Sequence, residues 1–128
     1  MGSPFSDDTQ GKAPSSRVDL TPAQFHILLT LCEGPRHGYG IMREIASRTN
    51  GAMELGPGTL YRSIKQLLRE GLLFEVDPRT DGSSAGGSPR RTYTLTPAGE
   101  IRLTEEAQRL ENLVRWAQEA AILEGGNP

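Results

Sequence analysis

Two glycines, Gly58 and Gly71, bracket the stretch that most limits what this chain can fold into. Between them Leu60, Ile64, Leu67 and Leu68 recur at spacings of four, three and one, which gathers them on one face of a 3.6-residue helix. Thr59, Arg62, Ser63, Lys65, Gln66 and Arg69 cover the rest of its surface, and no carboxylate occurs before Glu70. A face open only to solvent usually mixes both signs, because Glu–Lys pairs one turn apart stabilise a helix. A face carrying cations alone, on a helix of roughly 20 Å, points to a polyanion as partner; a merely solvated face is the plain alternative.

The net charge of −2 sits badly with a polyanion until it is divided along the sequence. Residues 36–95 hold nine Arg or Lys against six Asp or Glu, whereas residues 96–128 hold three against six and residues 1–35 two against four. The middle is basic and both ends are acidic, so a polyanion site belongs in the middle. The 128 residues suit one domain with a modest core. Cys32 is the only cysteine, which excludes an intrachain disulfide and a Cys-rich zinc site. It falls in an apolar helical pattern and is expected to be a small buried hydrophobe. No run approaches the ~18 apolar residues of a membrane span, and the N-terminus lacks a signal-peptide apolar region. The chain reads as soluble and cytoplasmic.

Residues 1–19, rich in Ser, Pro, Gly and Asp without apolar period, read as a disordered tail. Thr21-Pro22-Ala23-Gln24 carries the cap, the first-turn proline and the reciprocal glutamine of a helix start. That first helix should run to about Glu33 with Phe25, Leu28, Leu29 and Cys32 inward, and His26 in a structural role beside them. His37-Gly38-Tyr39-Gly40 opens a second helix, with Tyr39, Met42, Ile45 and Ala46 inward and Arg43, Glu44, Ser47 and Arg48 outward. Two glycines around a tyrosine are unfavourable for a helix start. Either the backbone there approaches a phosphate at the positive helix end, or the glycines permit tight packing against the first helix. After the third helix, residues 72–77 read as a strand, residues 78–89 as a Gly/Ser-rich hairpin tip, and residues 90–95 as the returning strand with Tyr93 and Leu95 on one face.

Three helices followed by a hairpin with an Arg-flanked tip make a winged helix-turn-helix. In that topology the third helix enters the major groove of double-stranded DNA. Thr59, Arg62, Ser63 and Gln66 are the candidates for base contact, Arg62 foremost as a bidentate partner of guanine. Lys65, Arg69 and Arg43 are suited to phosphates, and Arg79, Arg90 and Arg91 on the wing to an adjacent minor groove or its phosphates. Tyr61 on the third helix, with His37, Gly38 and Tyr39 at the second helix start, completes the candidate DNA surface.

Thr96-Pro97 caps a last helix running to about Leu123. Leu103, Ala107, Leu110, Val114, Ala117 and Ala121 follow alternating spacings of four and three, a coiled-coil-like seam, and Leu113, Trp116, Ala120 and Leu123 lie beside it. Two stripes on one helix call for a second copy of the chain, although capping of its own core would also occupy one of them. The expected organisation is a tail over 1–19, the winged domain over 20–95, a dimerisation helix over 96–124 and a frayed end over 125–128. The fold class is mainly α with a small β-hairpin.

From Leu20 to about Ala107 the sequence resembles the PadR family of bacterial transcriptional regulators. The resemblance rests on four stretches in order: His37-Gly38-Tyr39-Gly40-Ile41, Gly58-Thr59-Leu60-Tyr61-Arg62, Leu67-Leu68-Arg69-Glu70-Gly71-Leu72-Leu73, and residues Arg91 to Gly99. It implies a homodimeric winged-helix DNA binder, usually a repressor released by a small molecule, of the compact kind with one long dimerisation helix. It also implies an effector site between subunits, for which Leu110, Leu113 and Trp116 are the candidate lining. The competing reading is a winged helix that docks another protein and does not bind specific DNA. An enzyme is not expected: the two histidines, one cysteine and the carboxylates form no catalytic spacing, and Gly82 to Gly87 lacks the strand-Gly-Lys-helix context of a phosphate loop. No cofactor or metal is expected.

Overall fold

The computed structural model describes residues 19–76 and 91–121. Among these residues four helices and three short strands follow in the order α1 (Pro22–Leu31), β1 (Arg36–His37), α2 (Gly38–Arg48), α3 (Pro57–Arg69), β2 (Leu73–Val76), β3 (Thr92–Leu95) and α4 (Pro97–Glu119). This is the expected winged helix-turn-helix with a long last helix. The hairpin is part of a three-stranded antiparallel sheet ordered β1-β3-β2, because Arg36 and His37 pair with Tyr93 and Thr92. Two residues are too few to carry a strand period, so β1 leaves no pattern in the sequence. The expected tail up to residue 18, the hairpin tip with Arg79 and Arg90, and the final residues 122–128 lie outside the described residues.

The α1 start forms as its residues predict. The Gln24 amide N–H donates to the Thr21 hydroxyl and the Thr21 N–H to the Gln24 side-chain oxygen, each at 3.0 Å. Its inward face differs from expectation: Ile27, Leu28 and Leu31 are buried with Gln24 and Thr30, whereas Leu29 is 42% exposed and Cys32 is exposed. Nearly every residue from Phe25 to Cys32 is apolar, so two faces fit a helical period equally well, and the neighbours decide between them. Phe25 packs only partly against the core. A similar rotation occurs on α2, where Ile41 and Ile45 are buried and Tyr39 is 56% exposed.

The amphipathic α3 buries Leu60, Ile64 and Leu67 and lays Leu68 against the core. Gly71, at φ +76°, reverses the chain in the left-handed region that glycine adopts without strain. The Leu72 N–H then reaches the Leu67 carbonyl at 3.0 Å and the Gly71 N–H the Leu68 carbonyl at 3.1 Å, closing the open end of α3. β2 returns beside β3 with Leu73 opposite Leu95 and Glu75 opposite Tyr93. Tyr93 and Leu95 turn inward as predicted.

The last helix has 23 residues, roughly 35 Å. It ends at Glu119, short of the predicted Leu123, and Ala121 lies beyond it at φ +66°. Its inner side places Gly99, Leu103 and Glu106 against its own chain. Glu106 is buried and receives two hydrogen bonds from the Arg109 guanidinium, at 3.2 and 2.6 Å. These bonds hold its carboxyl below the usual glutamate range, against burial, which acts the other way. Among the described residues no helix is long and apolar enough to cross a membrane.

A depressed folded-state pKa means that the Glu106 contribution is complete above the ordinary glutamate pKa and is lost as pH falls through the lower folded value. Glu106→Gln should therefore lower the urea midpoint at neutral pH, and the gap to the parent should shrink by about pH 3, below the usual carboxylate range. A gap independent of pH would remove the charge from this account.

Candidate nucleic-acid interface

The apolar face of α3 is fixed in the core, so its opposite face is committed outward. Thr59, Tyr61, Arg62, Lys65 and Arg69 are exposed, with Ser63 and Gln66 partly covered. Among the described residues Arg62, Lys65 and Arg69 form no ion pair, which leaves three guanidinium or ammonium groups in a row on one helix. Arg62 leans on the Thr59 hydroxyl at 3.5 Å. Gln66 is less available than its sequence position implies: its amide donates to Glu70 at 2.8 Å and its carbonyl accepts from Arg69 at 3.2 Å.

The start of α2 joins this surface through one close approach. A Cβ on Gly38 would overlap the phenol of Tyr61, so only glycine lets the ring lie there. Tight packing thus explains Gly38, and the neighbour is the third helix, not the first. Gly40 has a separate local role: its N–H donates to His37 Nδ1 at 3.2 Å, so that donor is occupied by the helix's own cap. Next to Gly38, Tyr39 stands exposed with the Arg43 guanidinium 5.7 Å from its ring centre. At that separation the cation is attracted to the ring face, which steadies Arg43 on the exposed side of α2.

Behind them lies the sheet. Burial, with Glu75 nearby, pushes the buried Tyr93 phenol up, and Tyr61 adds to this from α3. Arg91 is exposed on the wing but pairs across the hairpin with Glu75 at 3.4 Å.

Among the described residues, two other cations of the first half are paired. Arg36 and Arg48 alternate with Glu33 and Glu44 in a network joining the end of α1 to β1 and α2, with contacts of 2.8 to 3.9 Å. Beside it, a cavity of about 350 Å³ between α1 and α2 is lined by Leu29, Cys32 and Ile45 among others. Leu110, Leu113 and Trp116 do not line this cavity; they lie along α4, where Leu110 is partly covered and Trp116 is 67% exposed. Of the predicted seam, Leu103 is inside the chain's own core, Ala117 is partly covered, and Ala107 and Val114 are exposed. Tyr61 is a DNA-contact candidate by its place on the third helix, and its contact with Gly38 leaves no sign in the sequence, since a helix period does not report what a glycine twenty-three residues earlier will meet.

Residues 27–105 match the Transcriptional regulator PadR-like family. The chain is similar to the transcriptional regulator Rv3488 of Mycobacterium tuberculosis, with 34% identity over 92 residues that cover 72% of this chain and 78% of that protein. A solved transcriptional regulator from Clostridium thermocellum superposes with a TM-score of 0.61 at 23% identity, over 75% of this chain and 89% of that one. Bacillus subtilis PadR, solved in complex with operator DNA, superposes with a TM-score of 0.55 at 21% identity, over 66% of this chain and 45% of its own. Both structures share the fold.

The Gly38–Tyr61 contact yields a measurable coupling. Because the overlapped atoms end a half-exposed side chain, Gly38→Ala should push the Tyr61 ring aside and cost no more than about 1 kcal/mol, and that loss should vanish in a Tyr61→Ala background. Additive losses in this double-mutant cycle, read by chemical denaturation, would place the strain elsewhere.

Proposed function

The chain belongs to the PadR-like family of transcriptional regulators, and we propose that it acts as a homodimeric repressor that binds an inverted-repeat operator and is released by a small molecule. It is a regulator, not an enzyme. The observation that carries the DNA-binding reading is the row Arg62, Lys65 and Arg69, exposed on α3 and free of ion pairs among the described residues. Such a row displaces condensed counterions from a duplex, so affinity falls as salt rises. In this reading Arg62, the member of the row nearest the helix start, meets a guanine edge through two hydrogen bonds. Lys65 and Arg69, with Arg43 on α2, hold the phosphates and set the register. The net negative charge does not oppose this, because residues 36–95 hold nine Arg or Lys against six Asp or Glu and the excess of acid lies outside them.

The dimer reading draws on α4. Beyond Leu110 the helix carries Leu113, Val114 and Trp116, all more than two-fifths exposed on a single subunit. A second copy laid along this segment would remove them from water, at a gain of about 25 cal/mol for each Å² of apolar surface covered. Two subunits related by a two-fold axis place their third helices about one DNA turn apart, near 34–36 Å, and so read an inverted repeat. A ligand seated between the subunits, against Leu110, Leu113 and Trp116, would change that separation and release the operator.

Titration of the purified protein against its own upstream DNA, at two salt concentrations and with scrambled duplex as competitor, tests the proposal. Tight binding that weakens with salt and survives the competitor is expected, and Arg62→Ala should lose roughly 1–3 kcal/mol on the operator with little change on scrambled DNA. Binding no stronger to the operator than to scrambled duplex would favour the protein-docking alternative.

A further inference from the structure

The recognition helix and the last helix meet at one residue. Thr96 stands before the first turn of α4, and its hydroxyl accepts from the Gly99 N–H at 2.9 Å, the ordinary work of a helix cap. The same hydroxyl has a proton to give, and it donates it to the Gly71 carbonyl at 2.7 Å. The Thr96 N–H donates to the next carbonyl, that of Leu72, at 3.1 Å. Gly71 and Leu72 are the two residues whose N–H groups close the end of α3. One threonine therefore binds both carbonyls of the turn that terminates α3 while capping α4. Gly99 completes the contact: it is buried, and a Cβ there would overlap the Leu72 carbonyl oxygen.

A helix cap alone needs none of this. Asp, Asn or Ser would cap α4 equally well, and alanine would be the better helix former at position 99. We infer that Thr96, with Gly99, is a positioning joint that ties the α3 terminus to the base of α4, so that the angle of the dimer helix sets the direction in which the recognition helix points. The inference rests on the dimeric, DNA-binding reading for its consequence but not for the joint itself. Two recognition helices held this way accept one separation between half-sites. Any change in α4 tilt is delivered to α3 through the Gly71–Leu72 turn.

Thr96→Asp separates the joint from the cap. A carboxylate still accepts from the Gly99 N–H, but it has no proton for the Gly71 carbonyl and repels that oxygen. Thr96→Ser retains both functions and serves as the rescue. On the DNA-free protein, amide exchange followed by NMR should show the Gly99 N–H still protected in Thr96→Asp. The residue 96 N–H should exchange about tenfold faster or more, as local opening of the joint requires, and Thr96→Ser should match the parent. Residue 96 protection unchanged in Thr96→Asp would overturn the joint.

The consequence is read on operators whose half-sites are moved apart by single base pairs, each of which turns one half-site by roughly 34°. The parent should lose about tenfold in affinity per added base pair, comparable with a mismatched base pair. Thr96→Asp should bind the original operator more weakly and lose less than about threefold per step, whereas a merely destabilised protein would keep the parent's spacing preference at lower affinity. A loosened joint with the parent's spacing preference unchanged would overturn the inference that it directs α3, whereas a parent indifferent to spacing would count against the dimeric reading on which the consequence rests.

Discussion

Burial of one face of α3 is the constraint from which the rest of the molecule follows. Leu60, Ile64 and Leu67 are almost fully withdrawn from water and meet Ile27, Leu28 and Leu31 of α1, with Ile41 and Ile45 of α2 in the same core. Each such side chain contributes about 1.5–3 kcal/mol when buried, so a rotation of α3 that exposed them would cost several kcal/mol. No exposed cation or surface ion pair on the opposite face could offset that. The direction of Arg62, Lys65 and Arg69 is therefore set by leucines and an isoleucine on the other side of the helix. The site is rigid because its back is core.

The electrostatics of the chain divide along the same line. Where cations serve architecture they are answered by carboxylates, as Arg36 and Arg48 are by Glu33 and Glu44, and Arg109 by Glu106. On α3 the answer is withheld until Glu70, and that carboxylate engages the Gln66 amide. Neutralising the α3 row would need a partner from outside the described residues. The total of −2 thus says little about binding, and the local distribution says much.

How much of this could be read in advance depended on whether a residue's neighbours were close in sequence. The capping residues Thr21 and Thr96, the amphipathic α3 and the inward pair Tyr93 and Leu95 were legible, because a period or a cap acts within one turn or one strand. The inward face of α1 was not. Ile27 to Leu29 with Leu31 and Cys32 offer several apolar faces, and only the seating of α1 against α2 and α3 chooses Ile27 over Leu29. Cys32 was read as buried for the same reason and lies exposed. The short β1 was hidden for a different one: a strand of two residues exists only through its pairing with Tyr93 and Thr92, which lie more than fifty positions away. In the candidate site, the exposed row of α3 was visible in the alternation of apolar and basic residues. The contact that seats Tyr61 was not, since a glycine's neighbour across space leaves no mark on local pattern.

The glycines at 38 and 99 complete the picture, because neither serves a turn. Neither has the positive φ that Gly34, Gly51 and Gly71 show, and both sit in helical first turns where alanine would be favoured. What they share is contact with α3 or its terminus: Gly38 admits the Tyr61 ring near the start of α3, and Gly99 admits the Leu72 carbonyl just past its end. The two approaches differ in kind: at Gly38 it is the end of a half-exposed side chain that comes close, whereas at Gly99 it is the backbone of the α3 terminus itself. A helix held only along one face can still rock about that face. One whose terminal carbonyls are bound by Thr96 cannot rock without carrying α4 with it, and α4 is the element that leaves apolar surface for a second subunit.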